Sequence, residues 1–220
     1  MPDSRVAYRL YLESKERIVS LMREQDDAAW SAAVPTCPGW SVRDVVAHLT
    51  AVAEDWAHGR LSGAPSDEET AGQIARFAGH DVTAILAAWT DAATQLEPTT
   101  TNSGRHPPVG DITCQEHDIR GAISRPGARD SEAVRYCSDL LLTQLRPPIP
   151  LRVTVEDAEF RLGPDNGAEL ALTTTRFEAL RWRTGRRSPA QLAALEWSAD
   201  PTPVLDHLAM FGPAGTDVVE

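Results

Sequence analysis

The sequence predicts an α-helical bundle followed by a small α+β domain. Apolar residues recur at three- and four-residue spacings through successive stretches of the first two-thirds of the chain, the signature of amphipathic helices. Pro147-Pro148-Ile149-Pro150 then forms a stiff break. Beyond it, Leu151 to Leu162 alternates apolar and polar residues, the period of a strand. These observations place the bundle at residues 1–147, the α+β domain at 151–212 and a loose tail at 213–220.

Residues from about Ser4 to Trp30 carry Leu10, Ser14, Arg17, Ile18 and Leu21 at helical spacing, a first amphipathic helix. Thr36 to Trp56 is the most informative stretch. Pro38-Gly39 makes a turn, and Ser41 with Asp44 forms a Ser-x-x-Asp capping box that satisfies free amide donors at a helix start. Val42, Val45, Val46, Leu49, Val52, Ala53 and Trp56 follow as a buried stripe, and the helix stops at Gly59. Gly63 to Glu69 reads as an exposed polar loop. A third long helix is expected from about Glu69 to Leu96, with Ile74, Phe77, Val82, Ile85, Leu86 and Trp89 inward. A loop from Pro98 to Pro108 closes it.

Helix four starts near Gly110-Asp111 and runs through Ile112, Cys114, Ile119 and Ile123 to a turn at residues 125–130. Ser131 caps a fifth helix with Val134, Leu140, Leu141 and Leu145 inward, completing the bundle. In the second domain, Leu151–Leu162 and Glu169–Thr174 are expected as the two strands of a hairpin around a turn at 163–167. Thr175 and Glu178 open a short helix that ends at Thr184-Gly185, and a last helix covers Val204 to Met210.

The bulk properties narrow the function. The 220 residues are 42% hydrophobic and 24% charged, which is ordinary for a globular protein. A net charge of -11 disfavours nucleic acid as a partner, because phosphate binding needs a basic surface. No apolar run approaches the ~18 residues that span a bilayer. The N-terminus has no apolar signal region, so a cytoplasmic protein without membrane partners is expected. Cys37, Cys114 and Cys137 include no Cys-x-x-Cys pair and read as small buried residues rather than a disulfide framework or zinc knuckle. Trp40, Trp56, Trp89, Trp182 and Trp197 read as packing residues.

A bundle builds a site where inward polar side chains from several helices meet. His48 lies three residues after Val45 and four before Val52, on the buried stripe. It is either a core histidine bonded to a carbonyl or one half of a site. Asp111, Gln115 and Asp118 are spaced four and three apart and share a face of helix four. His117 is turned about 200° from Gln115 and does not share it. A divalent metal could take His48 and Asp111, but a neutral Gln115 amide is a poor zinc ligand. An Asp and a Gln hydrogen-bonding across the bundle explains the same pattern.

Thr36-Cys-Pro-Gly-Trp-Ser-Val-Arg-Asp-Val-Val-Ala-His-Leu, then Asp118-Ile-Arg-Gly-Ala, then Gly185-Arg-Arg-Ser, resembles the mycothiol-dependent maleylpyruvate isomerase-like family. The resemblance covers nearly the whole chain and implies a DinB-like antiparallel bundle with a sterol-carrier-like α+β domain. It implies a metal, zinc foremost, held by a His on helix two and by an acidic residue and a His four apart on helix four. Those positions fall on His48, Asp111 and Gln115, so this sequence has glutamine where the family has its second histidine. The resemblance also implies mycothiol or a similar small thiol as cofactor or co-substrate.

Arg186-Arg187, after a short helix, could anchor a substrate carboxylate or simply sit at a helix end that favours cations. Arg120 could reach a cleft or pair with Asp118. The leading expectation is an isomerase or S-transferase acting on a small electrophilic or carboxylated metabolite, in a monomer or homodimer. The alternatives are a non-catalytic binder of a small ligand and a metal-free enzyme using His48 and Asp111 as acid and base.

Overall fold

The computed structural model describes residues 4–61, 63–103 and 106–220, with 97–103 described by backbone alone. It is mixed α and β, and it divides into two compact units, Met1–Arg125 and Pro126–Glu220.

The first unit is the helical bundle. Its elements are α1 (Ser4–Arg23), α2 (Asp27–Trp30), α3 (Val42–Ala57), α4 (Asp67–Arg76), α5 (Val82–Ser103) and α6 (Val109–Ala122). Helix α1 buries Ala7, Leu10, Tyr11, Ser14, Ile18 and Met22 along one stripe. Helix α3 packs against α2, α4, α5 and α6, and it is buried at every position from Val45 to Ala53. Each fully buried Val or Leu there contributes about 1.5–3 kcal/mol over exposure. The expected capping box is present: the Ser41 amide donates to Asp44 Oδ2 at 2.9 Å, and the Asp44 amide donates to Ser41 Oγ at 3.3 Å.

The long third helix is in fact two helices. The break spans Phe77 to Asp81, where Asp81 Oδ1 accepts from the Ala84 amide at 2.8 Å and so caps α5. Arg43, from α3, clamps the turn by donating to the carbonyls of Phe77 (2.8 Å) and His80 (2.5 Å). The expected loop starting at Pro98 begins later, because α5 continues to Ser103; residues 104 and 105 of it lie outside the described residues.

The fifth helix, α7 (Glu132–Thr143), is capped by Ser131 as expected, but it packs on the second unit. Leu142 and Leu145 join the core of that unit, so the division falls at Arg125–Pro126 rather than near residue 147. The rest of that unit is β1 (Leu151–Val155), β2 (Ala158–Leu162), β3 (Leu170–Thr173), α8 (Arg176–Arg183), α9 (Pro189–Ala193), β4 (Glu196–Trp197) and α10 (Leu205–Leu208). The sheet order is β2-β1-β3-β4. The expected single strand over 151–162 is itself a hairpin, pairing Leu151 with Leu162 and Val153 with Phe160. Strand β3 then lies parallel to β1.

The hairpin turn, Glu156-Asp157, is pinned by Arg176. Its amide donates to Glu156 Oε1 at 3.0 Å and its Nη1 donates to Asp157 Oδ1 at 2.5 Å. The tail is not loose. Val218 is buried, Gln191 Nε2 donates to its carbonyl at 2.8 Å, Ser188 donates to Asp217, and Glu220 pairs with Arg181. Among the described residues no helix is long and apolar enough to cross a membrane.

Candidate functional site

The site grows from the turn ahead of α3. The Val34 amide donates to the Trp40 carbonyl at 2.9 Å, and the Trp40 amide donates to the Cys37 carbonyl at 3.0 Å. Gly39, at φ +86°, takes the left-handed conformation that closes this loop. The loop thereby sets Cys37 and Trp40 beside the first turns of α3. The Trp40 ring packs on the His48 imidazole at 5.3 Å between centroids, tilted by 55°.

His48 is 4% exposed, inside a helix surrounded by other helices. Its Nε2 lies 3.6 Å from Oδ2 of Asp111, on the first turn of α6. Asp111 keeps its side chain 31% exposed, so the pair reaches solvent through the carboxylate. Burial opposes the imidazolium, yet the adjacent Asp111 carboxylate, together with the Gln73 amide, raises the His48 pKa above its ordinary value. Tyr11 of α1 is fully buried, and its hydroxyl accepts from Trp89 Nε1 at 2.8 Å. Burial raises the Tyr11 pKa strongly, Trp89 opposes that, and the Asp111 charge adds to the rise.

Helix α6 is buried at every position from Ile112 to Ile119. Gln115 is 6% exposed, and its Oε1 accepts from Cys37 Sγ at 3.7 Å. The three expected site residues of the bundle thus separate into a His48–Asp111 pair and a Gln115–Cys37 contact. Glu116 is buried and bound by Arg17 of α1 and by Arg120. Arg120 therefore pairs with Glu116, one helical turn away, where the sequence offered Asp118 or a cleft. His117 and Asp118 are both buried on the same helix and both engaged in further interactions.

A zinc site takes at least three nitrogen, sulfur or anionic oxygen ligands from the protein. His48 Nε2 and Asp111 Oδ2 stand at a separation suited to two such ligands, and Asp111 Oδ2 accepts no hydrogen bond among the described residues. The third expected ligand, Gln115, is a neutral amide already meeting a thiol. Among the described residues no three His, Cys, Asp or Glu side chains are grouped to hold a metal. This donor set does not fit a zinc centre.

The two candidate arginines of the second unit, Arg186 and Arg187, have partners within it. Arg187 Nε donates to Glu178 Oε2 at 2.8 Å and Nη2 to Glu178 Oε1 at 2.7 Å. It also donates to Glu220 Oε2 at 3.4 Å. Arg186 Nη1 donates to the Thr184 carbonyl at 2.7 Å. Arg187 is thus already matched in the bidentate geometry that a substrate carboxylate would need.

Sequence reasoning missed Gln73. It is the buried residue of α4, 1% exposed, where the pattern pointed to Ile74. A glutamine in a charged helix carries no signal of its own. The Cys37–Gln115 contact was likewise invisible, because it joins residues 78 positions apart.

Residues 11–113 match the family model of the mycothiol maleylpyruvate isomerase N-terminal domain. No curated protein matches the sequence. Two crystal structures of the mycothiol-dependent maleylpyruvate isomerase share the fold, one of them a histidine-to-alanine mutant. They superpose with TM-scores of 0.56 and 0.53 at 11% and 12% identity, over 84% of this chain and 90% of each of theirs.

Proposed function

We propose that the chain, whose residues 11–113 match the family model of the mycothiol maleylpyruvate isomerase N-terminal domain, is a mycothiol-dependent isomerase. The substrate class we propose is a small, electron-poor metabolite carrying a carboxylate, as maleylpyruvate is. The observation that carries the reading is the buried imidazole of His48 held 3.6 Å from the partly exposed Asp111 carboxylate.

The bound thiol would supply a sulfur nucleophile, which is potent only as the thiolate. A free thiol with a pKa of about 8.5 is mostly protonated at neutral pH, so the site must take its proton. The neutral His48 ring can accept that proton at Nε2, and the Asp111 carboxylate stabilises the resulting imidazolium. The same carboxylate raises the His48 pKa, so it favours the protonated ring that general base catalysis forms. Trp40, packed against the ring, fixes its plane. After the transfer the same nitrogen can return the proton to the product.

A second reading, a binder that holds the thiol without turnover, is favoured by Gln115 at the family's second histidine position. Titration calorimetry with mycothiol, paired with a maleylpyruvate isomerisation assay, separates the two. Mycothiol binding and mycothiol-dependent turnover are expected in the wild type, with turnover lost in His48→Ala. Binding without turnover would support the second reading, and absence of binding would overturn both.

A further inference from the structure

The tail of the second unit is held in the manner of a bound peptide. The described residues 209–220 form neither helix nor strand. Gln191 of α9 reads the main chain at Val218 from both sides. Its Oε1 accepts from the Val218 amide at 3.0 Å, and its Nε2 donates to the Val218 carbonyl at 2.8 Å. Those two bonds fix where the segment lies, and three of its side chains are matched by type. Ser188 donates to the Asp217 carboxylate. Val218 is 7% exposed, whereas its neighbour Val219 is 87% exposed. The Glu220 carboxylate meets Arg181 and Arg187, and the Glu220 carbonyl accepts from Arg129 Nη2 at 2.9 Å.

The cationic end of this cradle is rigidly supported. Arg181 is fully buried and Arg187 nearly so. Arg187 is set by its two-pronged bond to Glu178, and Arg129 lies over the Phe177 ring at 4.5 Å. Three guanidiniums therefore converge on the place of one residue. A guanidinium held out of water needs an anion beside it, and Glu220 supplies one. The link that delivers the segment is slight by comparison. Residues 211–217 are exposed or half-buried, with the Ala214 amide donating to the Arg187 carbonyl at 2.9 Å. The segment can thus lift without unravelling a helix or a strand.

We propose that Arg129, Arg181, Arg187, Ser188 and Gln191 form a recognition site for an extended acidic segment, which residues 217–220 fill as an internal ligand. The pattern selected is an aspartate, a small apolar residue next to it, and a glutamate two positions further on. Position 219 faces solvent and is not read. The partner that displaces the tail is an acidic peptide segment of that pattern on another chain. Charge-assisted bonds from clustered arginines are a general means of selecting acidic motifs. The tethered tail competes at a high effective concentration, so it excludes segments that match the pattern only in part.

The test titrates an acetylated and amidated peptide, Thr-Asp-Val-Val-Glu, the sequence of residues 216–220, into the nitrogen-15-labelled full chain. The receiving protein is the Asp217→Ala, Glu220→Ala double variant, in which the tail competes poorly. Saturable binding is expected, with the largest NMR shifts at Ser188, Gln191 and the Nε signals of Arg181 and Arg187. The wild type should bind the peptide at least about 10-fold more weakly, because its own tail is tethered at the site. A peptide carrying Glu220→Gln should bind the double variant at least about 10-fold more weakly, since charge-assisted bonds become neutral ones. If the double variant unfolds, Glu220→Gln in the chain keeps the shape of the tail and takes its place, with the same order expected. Lack of saturable binding to the folded variant overturns the proposal. Equal binding to variant and wild type, equal binding of the two peptides, or shifts scattered away from α8 and α9 does so as well.

Discussion

Arg17 of α1 grips the wholly buried carboxylate of Glu116 on α6 with a two-pronged pair: Nε donates to Oε1 at 2.9 Å and Nη2 to Oε2 at 2.7 Å. Arg120 donates to the same carboxylate at 3.1 Å. The pair ties together the two helices that carry Tyr11 and Asp111. Removing one partner of a buried ion pair leaves a charge uncompensated. Arg17→Met is expected to destabilise the protein by about 3 kcal/mol, at the low end of such losses because Arg120 remains. Urea unfolding should show a lower midpoint at unchanged slope. A loss within the range of exposed pairs, below about 1 kcal/mol, would show the pair to be solvent-screened.

The His48–Asp111 pair should make stability depend on pH in one direction. The folded His48 pKa lies above its ordinary value of 6.5. Its contribution is therefore complete below that ordinary value and is lost as pH rises through the higher, folded one. In Asp111→Asn, burial acts against the imidazolium with only Gln73 to support it, and the His48 pKa should drop. The melting temperature of the wild type should exceed that of Asp111→Asn by most at mildly acidic pH, and the gap should close on the alkaline side. A gap that widened with pH would contradict the ion pair.

What the sequence carried, and what it did not, divides by distance along the chain. The capping box at Ser41 and Asp44 and the buried stripe of α3 are local, and both are present. So is the cap of α7 at Ser131. The step of three from Val155 to Ala158 interrupts the period of two and marks the β1–β2 turn; an alternation read straight through it hides the hairpin. Leu140 is 37% exposed while Leu142 is fully buried, because α7 faces α8. Periodicity shows that a face is buried but not against what. The same holds at the site: the stripe placed His48 inside, but its pairing with Asp111 is set by how separate helices pack.

Metal content offers a direct check on the altered ligand set. With Gln115 at the third expected ligand position and its Oε1 engaged by Cys37, purified protein is expected to hold well under one zinc per chain. Gln115→His should raise that content, since imidazole is a far better zinc ligand than an amide. Elemental analysis of both proteins reads the difference. Stoichiometric zinc in the wild type that disappears in Asp111→Ala would show that the glutamine site holds metal after all.

Glu220 is expected to matter for the second unit despite its place at the end of the described chain. Its carboxylate is 6% exposed and pairs with Arg181, which is fully buried on α8. Arg181 Nε donates to it at 3.1 Å and Arg187 Nη1 at 3.4 Å. Hydrogen bonds between charged groups of this kind contribute about 1.5–3 kcal/mol each. Arg187 keeps Glu178 as a partner, whereas Arg181 loses a carboxylate from a site without solvent. Glu220→Ala is therefore expected to destabilise this unit by about 2 kcal/mol. Hydrogen exchange should register it as faster opening of α8 and α9, the helices nearest the docked tail. Unchanged protection in both helices would mean that the Glu220 contacts are screened and that the tail adds nothing to the stability of the unit.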